Sequence, residues 1–252
     1  MRAVYPDDQE DALKADFFGA LRDGYFVEVG ANEPRRASQT WTFEQLGWRG
    51  ILIEPQPDLA QQLARERNAQ VVAAACSSPE NDGCNMTLRL AGPHSSVNDR
   101  LVAPGAQPQG TIEVPVRTLD AILRQASAPA PVDFVSIDVE GHELDVLQGF
   151  DLEQWQPRLV LIEDHLASLS PHRHLTHARY RLIRRTGFNS WYVPEEAAPR
   201  LGRGHLELAR KLYLSLPFRL MRNWKRRLLG QYAFMPAPAR PTGVSARPPC
   251  RA

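Results

Sequence analysis

The chain has 252 residues, enough for one large α/β core with a short appendage and too few for two full domains. Hydrophobic residues make up 43%, charged residues 23%, and the net charge is +1. These values exclude a disordered chain and leave no overall field to draw nucleic acid or a strongly acidic partner.

In chain order, Leu13, Phe17, Phe18 and Leu21 recur at helical spacing and predict a helix over residues 10–22, stopped by Gly24 before the apolar run YFVEVG. TWTFEQLGW reads as a helix, RGILIEP as a second strand, and DLAQQLARERN as a helix opened by Pro57 and Asp58. QVVAAACS predicts a third strand. NMTLRLAG and TIEVPVRTLD alternate like exposed strands of a small hairpin insertion, and they bracket GPHSSVNDRLVAPGAQPQG, a turn-rich segment expected to be a mobile loop. The pattern resumes with VDFVSID as a fourth strand, HELDVLQGF as a helix and PRLVLIED as a fifth strand. RYRLIRRTGFNSWYVP predicts one more helix and strand, with no clear seventh strand after it. Strands alternating with helices in this way predict a mainly parallel sheet with right-handed crossovers and helices on both faces.

The loop after the first strand limits the ligand. A dinucleotide-binding turn needs three glycines, so that the backbone can approach a pyrophosphate. The window GANEPR has Gly30 alone, and Glu28 and Glu33 flank it with charge that repels phosphate. A cofactor with a ribose and no phosphate tolerates Glu28 and uses a second acid at the next strand end for the ribose hydroxyls. Glu54 stands there, roughly 20 residues on. S-adenosylmethionine meets these conditions. Gly30, Ala31 and Asn32 form the loop that would face it, and Cys76 and Ser77 end the third strand, where adenine is edged by small groups. The ordinary readings are a strand-end Glu28 bonding loop amides, a helix-start Glu54 and a buried apolar Cys76.

FVEVGANEP, SQTWTFEQLGWRGILIEPQP, VDFVSIDVEGHELDVLQGFD and LVLIEDH, in that order, resemble the FkbM family of S-adenosylmethionine-dependent methyltransferases over about residues 9–165. The resemblance implies a class I, Rossmann-like methyltransferase fold and O-methylation of a hydroxyl on a sugar, glycolipid or natural product. It also matches Ser38, Gln39 and Thr40 to a Ser-x-Thr element, with Thr40 near the methionine moiety and capping the next helix. The chain departs from the family's pattern at Pro34-Arg35-Arg36, where members carry a second glycine. The two arginines read either as contacts to an anionic substrate or as a solvated face.

Asp138, Glu140, His142 and Glu143 follow a buried strand, and Glu163, Asp164 and His165 end its neighbour, which aims them at one crevice. Two mechanisms use it. In one, His142 or His165 is the general base, with Glu140 beside it and Asp138 against the cofactor. In the other, Asp138 with Glu163 or Asp164 holds Mg²⁺, which orients substrate hydroxyls and lowers their pKa. A nucleotide-dependent oxidoreductase and a non-catalytic membrane-surface adaptor are the alternatives, opposed by the missing glycines and by the intact acids respectively.

The predicted layout is a methyltransferase domain over 1–204, a basic amphipathic helical segment over 205–235 interrupted by Pro217, and a disordered Pro/Ala/Arg-rich tail over 236–252. Leucines every four residues among arginines over 207–229 read as a helix packed on the core or as a peripheral membrane contact. Cys76, Cys84 and Cys250 are odd in number and lack CxxC spacing, so no disulfide framework is expected and a reducing compartment is. The N-terminus carries acids where a signal peptide has an apolar core, and no run of 18 apolar residues occurs. The expectation is a cytoplasmic enzyme, with the inner membrane face as an option, acting on a small-molecule, glycan or lipid-linked acceptor.

Overall fold

The computed structural model describes residues 6–91, 95–97, 110–164, 169–197, 206 and 209. The segment 207–229 and the tail lie almost wholly outside them. Helix α1 spans Pro6–Phe18. Gly19 ends it at φ +58°, donating its N–H to the Ala15 carbonyl at 2.8 Å, the left-handed stop that favours glycine. Strand β1 is Tyr25–Val29, α2 Trp41–Gln45, β2 Arg49–Ile53 and α3 Pro57–Glu66. Then come β3 (Gln70–Val72), β4 (Ala75–Cys76), β5 (Asn85–Leu90) and β6 (Gly110–Arg117). Helix α4 (Leu119–Gln125) is capped by Thr118, whose hydroxyl accepts from the Ala121 N–H at 3.2 Å. Strand β7 (Phe134–Ile137), α5 (Glu143–Gln148), α6 (Leu152–Trp155), β8 (Leu159–Glu163), α7 (Ser170–His177), β9 (Tyr180–Thr186) and β10 (Asn189–Pro194) complete the order.

Seven strands form one sheet in the order β3-β2-β1-β7-β8-β10-β9, parallel except for β10, which runs antiparallel to both neighbours. This is the class I, Rossmann-like arrangement. Strand parity builds its two faces. Val27, Val29, Ile51, Ile53, Val135, Ile137, Val160 and Ile162 face α4, α5 and α7. Phe26, Leu52, Phe134, Leu161 and Trp191 face α1, α2 and α3. On the second face Phe43 stacks on Trp48 at 4.3 Å, and Phe18 meets both edge-on. The chain winds outward from β1 to β3 on one side and from β7 to β9 on the other. The carboxyl ends of β1 and β7 therefore open at the switch point, where open α/β sheets bind ligands.

The structure differs from the sequence reading in three places. QVVAAACS is not one strand: the chain leaves the large sheet after Val72, and Ala75 and Cys76 pair with Val116 and Arg117 in a second, three-stranded sheet ordered β4-β6-β5. Three successive alanines carry no β-branched side chain to hold the strand in one plane. RYRLIRRTGFNSWYVP is a β-hairpin, not a helix and strand. Gly187 turns at φ +51°, and the Leu/Arg-rich half is drawn into pairing with Asn189–Pro194, which supplies the seventh strand. Third, no disulfide was expected, whereas Cys84 is disulfide-bonded; Cys76 is a free buried thiol. Among the described residues no helix is long and apolar enough to cross a membrane.

Gly50 sets the spacing of β1 and β2. A Cβ there would stand 2.3 Å from the Phe26 carbonyl oxygen and from its ring. Gly50→Ala is expected to destabilise the chain by about 1–3 kcal/mol as β1 and β2 are forced apart, read from the shift of the urea midpoint.

Candidate active site

Where β1 ends, Gly30 turns at φ +83°, and a Cβ on it would stand 1.8 Å from the carbonyl oxygen of Asp138. Only glycine lets the two strand ends cross so closely. The Asp138 N–H donates to the Val29 carbonyl at 3.0 Å, and the Gly30 and Ala31 N–H groups both donate to the Ile53 carbonyl, at 2.9 and 3.1 Å. A pocket opens above this crossing. Gly30 and Asn32 line it from β1, Glu54 and Gln56 from β2, Ala74–Cys76 from β4, and Asp138, Glu140 and His142 from the turn after β7.

Glu28 does not line this pocket. Its place on β1 turns the carboxylate toward the face of α1–α3, where it accepts from the Ser38 hydroxyl at 3.0 Å, the Gln39 N–H at 2.7 Å and the Thr40 hydroxyl. Thr40 is fully buried, and its side chain does not cap α2. Ser38 serves that end instead, its oxygen accepting from the Thr40 and Trp41 N–H groups at 3.3 and 3.2 Å. Arg67 is buried beneath the same loop. It donates to Glu44 at 2.9 Å, to the Pro34 carbonyl at 2.8 Å, to Ser38 at 3.1 Å and to Thr40 at 3.1 Å. From α1, Lys14, 1% exposed, donates to the Gln39 carbonyl at 2.7 Å and pairs with Asp11. Burial raises the pKa of Glu28, while the Thr40 and Gln39 bonds and the Arg67 charge oppose the rise. This network fixes the loop 30–41, so Glu28 and Thr40 shape the site from behind.

Glu54 is buried at the pocket wall. One carboxylate oxygen accepts from the Asn32 N–H at 2.8 Å and the other from the Gln56 N–H at 2.9 Å, and burial raises its pKa. Each oxygen keeps further accepting capacity, as a carboxylate offers about four lone-pair sites. Cys76 lines the pocket with its thiol pushed up to about 12 by burial, which makes it an inert apolar surface. Ser77 is fully buried behind it. Its hydroxyl receives an N–H of Asn81 at 2.9 Å and sits 2.9 Å from His142 Nε2, while His142 Nδ1 lies 3.4 Å from Asp145. The Nε2 side of His142 is thus engaged within the protein, while the Nδ1–Asp145 approach is only a charge contact. Burial lowers its pKa, partly offset by Asp145.

The acids after β7 and β8 converge. Carboxylate oxygens of Asp138, Glu140 and Glu163 lie within 4.8 Å of one another, and oxygen donors at that spacing suit a hard cation or a shared proton. Asp138 lies among protein atoms yet keeps an open face to the cleft; burial, then Glu163, raises its pKa well above its ordinary value. Asp164 leaves this group. It is buried against Arg185 at 3.7 Å, and its N–H donates to the Phe188 carbonyl at 2.8 Å, which ties β8 to the β9–β10 turn. Ala31 packs among the apolar residues below the loop. His165 lies outside the described residues.

Sequence reasoning missed Arg67, Glu44 and Lys14, which look like ordinary charges on amphipathic helices until the loop folds over them. It also missed Leu88, Ser95, Ser96 and Val97, pocket residues from the segment read as hairpin and mobile loop. The paired serines were the available signal.

Arg67→Ala leaves Glu28 and Glu44 buried without their cation and is expected to cost about 3–5 kcal/mol, measured by urea denaturation. For His142 the sign follows from its neutral folded form. Below the ordinary histidine pKa of 6.5 the unfolded chain takes up a proton that the folded chain resists. Its contribution to stability is complete above that pH and lost as pH falls below it. Thermal melts of His142→Gln should therefore lose part of the acid-side slope shown by the wild-type chain.

Comparison with known proteins places this geometry. No curated protein matches the chain. A crystal structure of methyltransferase FkbM from Methylobacillus flagellatus is similar at 17% identity and a TM-score of 0.43, over 69% of this chain and 44% of that one, so less than half of that protein's length is spanned. TrmK of M. capricolum, solved with S-adenosyl-homocysteine, is similar at 8% identity and a TM-score of 0.43, over 92% of this chain and 89% of that one. A TehB-like S-adenosylmethionine-dependent methyltransferase from Corynebacterium glutamicum has 8% identity and a TM-score of 0.40, over 76% and 88%. Assignment rests on the family model for the methyltransferase FkbM domain, which matches residues 28–190 and so takes in the switch-point loop, Glu54 and the acidic turn. The chain belongs to the FkbM methyltransferase family.

Proposed function

We propose that the chain methylates a hydroxyl of a sugar, glycolipid or natural product, with a carboxylate of the Asp138, Glu140 and Glu163 group as the base. One observation carries this reading: those three carboxylates converge beside the pocket, whereas His142 is buried with its Nε2 2.9 Å from the Ser77 hydroxyl. The base role therefore moves from the histidine to the acids, and His142 becomes a residue that positions the turn.

When bound, S-adenosylmethionine supplies a methyl group activated by a sulfonium. Glu54 uses its remaining lone pairs for the ribose hydroxyls, and Gly30 and Asn32 give the amino acid tail a backbone surface free of large side chains. The acidic group would accept hydrogen bonds from acceptor hydroxyls and take the proton that the oxygen loses on methylation, with S-adenosylhomocysteine as the leaving group. Proximity provides most of the acceleration and the base a further factor of about 10² to 10⁴. Burial and the neighbouring Glu163 raise the pKa of Asp138, which favours one proton shared within the group. A second reading draws on the same oxygens, which match the ligands of Mg²⁺.

Calorimetry with S-adenosylhomocysteine tests the cofactor assignment: Glu54→Ala should bind about 1–3 kcal/mol more weakly than the wild-type chain. Unchanged affinity removes Glu54 from the site. Transfer of labelled methyl groups into cell extracts locates the acceptor. With that acceptor, Glu140→Gln or Glu163→Gln should lose about 10² or more in rate while still binding S-adenosylhomocysteine. Loss of activity with EDTA and recovery with Mg²⁺ assigns the oxygens to a cation. Full activity in both variants with no chelator effect overturns the proposal.

A further inference from the structure

The turn after β7, which carries two of the three clustered acids, is held from outside the large sheet. Glu140 takes φ +52° and Gly141 φ +94°, so a residue with a side chain sits in the left-handed region beside a glycine. Such a conformation persists where neighbours fix it. On one side the Gly141 N–H donates to the carboxylate of Glu143, the first residue of α5, at 2.7 Å. On the other, the Ser96 hydroxyl donates to the Glu140 carbonyl at 2.9 Å, from 44 residues away in sequence.

We infer that Ser96 is a positioning residue for methyl transfer: its bond to the Glu140 carbonyl holds the backbone that places the Glu140 carboxylate with those of Asp138 and Glu163. The inference rests on the reading of that acidic group as the base. The three carboxylates have oxygens within 4.8 Å of one another. A side chain leaves the backbone in a direction set by its own residue's conformation, so a Glu140 relaxed to the right-handed region would aim its carboxylate elsewhere and open the group.

Ser96 has a fixed place from which to do this. It is 7% exposed, and a hydroxyl so buried keeps its protein partner because water does not replace it. It exchanges backbone hydrogen bonds with Arg89 near the end of β5, at 3.0 and 3.1 Å, and β5 is paired along its length with β6. Ser95 beside it accepts from the Ala91 N–H at 3.0 Å. The second sheet is therefore the frame against which this hydroxyl sets the acidic turn of the first. Alanine at position 96 keeps the backbone pair with Arg89 and removes the bond to Glu140.

Transfer of labelled methyl groups from S-adenosylmethionine into cell extract by the full chain tests this, beside calorimetry with S-adenosylhomocysteine. Ser96→Ala should slow transfer about ten- to hundredfold, the scale expected when a reacting group is misplaced by up to about 1 Å, and should bind S-adenosylhomocysteine as the wild-type chain does. Ser96→Thr restores the hydroxyl and should regain most of the rate. In a Glu140→Gln background Ser96→Ala should slow transfer no further, because it acts through that carboxylate. The Glu140 Cα and Cβ resonances, which report backbone conformation, should leave their left-handed values in Ser96→Ala; they decide alone if the extract supplies no acceptor. Where circular dichroism shows that Ser96→Ala has lost its fold, Ser96→Cys, similar in size and a weak donor, takes its place. A wild-type rate in Ser96→Ala beside a slow Glu140→Gln, a loss that multiplies in the Glu140→Gln background, slower transfer explained by weaker S-adenosylhomocysteine binding, or unmoved Glu140 resonances each overturns the inference and leaves the base reading intact. Full rate in Glu140→Gln also overturns it, and Glu163→Gln then decides the base reading.

Discussion

Between Gly30 and Asp138 there is no room for a side chain, and the functional end of the molecule is arranged around that fact. The carbonyl oxygen of Asp138 stands where any other residue at position 30 would place its Cβ. The contact brings the carboxyl ends of β1 and β7 together and sends their loops in opposite directions. The crevice between them becomes a pocket instead of a packed seam. Cofactor loop and acidic turn are thus two consequences of one close approach.

Such a crossing needs its loops held, and the chain uses buried charge. Arg67 satisfies Glu44, a carbonyl and two hydroxyls, while Glu28 takes the next three donors of the loop. A buried ion pair is weak evidence for net stability, because desolvation offsets much of the attraction. What the network does supply is geometry. Residues 30–41 lack the second glycine that would let backbone turns close on their own, and directional bonds to side chains set the path in its place. The acidic group is the contrast: Asp138, Glu140 and Glu163 bring three carboxylates together beside the pocket.

The parallel core was legible from its apolar runs, since β1, β2, β7 and β8 are continuous and buried, and Gly30 and Glu54, singled out in sequence, both line the pocket. Local pattern failed where pairing decides. Tyr180–Thr186 carries helix-forming arginine and leucine, yet it is drawn into a strand by its partner β10. Ala73–Cys76 has no intrinsic preference strong enough to stay in one sheet. Side-chain direction was the other gap. Glu28 lies one residue from a pocket-lining valine, and alternation along a strand sends it to the opposite face. His142 has the right position for a base, but its partner Ser77 comes from a distant element whose approach no linear pattern encodes.

Helix α1 lies wholly before residue 28, where the family match begins, yet it reaches into both halves of the molecule. Lys14 grips Gln39 in the cofactor loop, and Glu10 accepts from Thr186 and Asn189 at the two strands of the final hairpin. The recurring unit shared with relatives is therefore not the unit that folds. A piece excised at the homology borders would keep every pocket residue and lose the clasp that joins its earliest loop to its last strands.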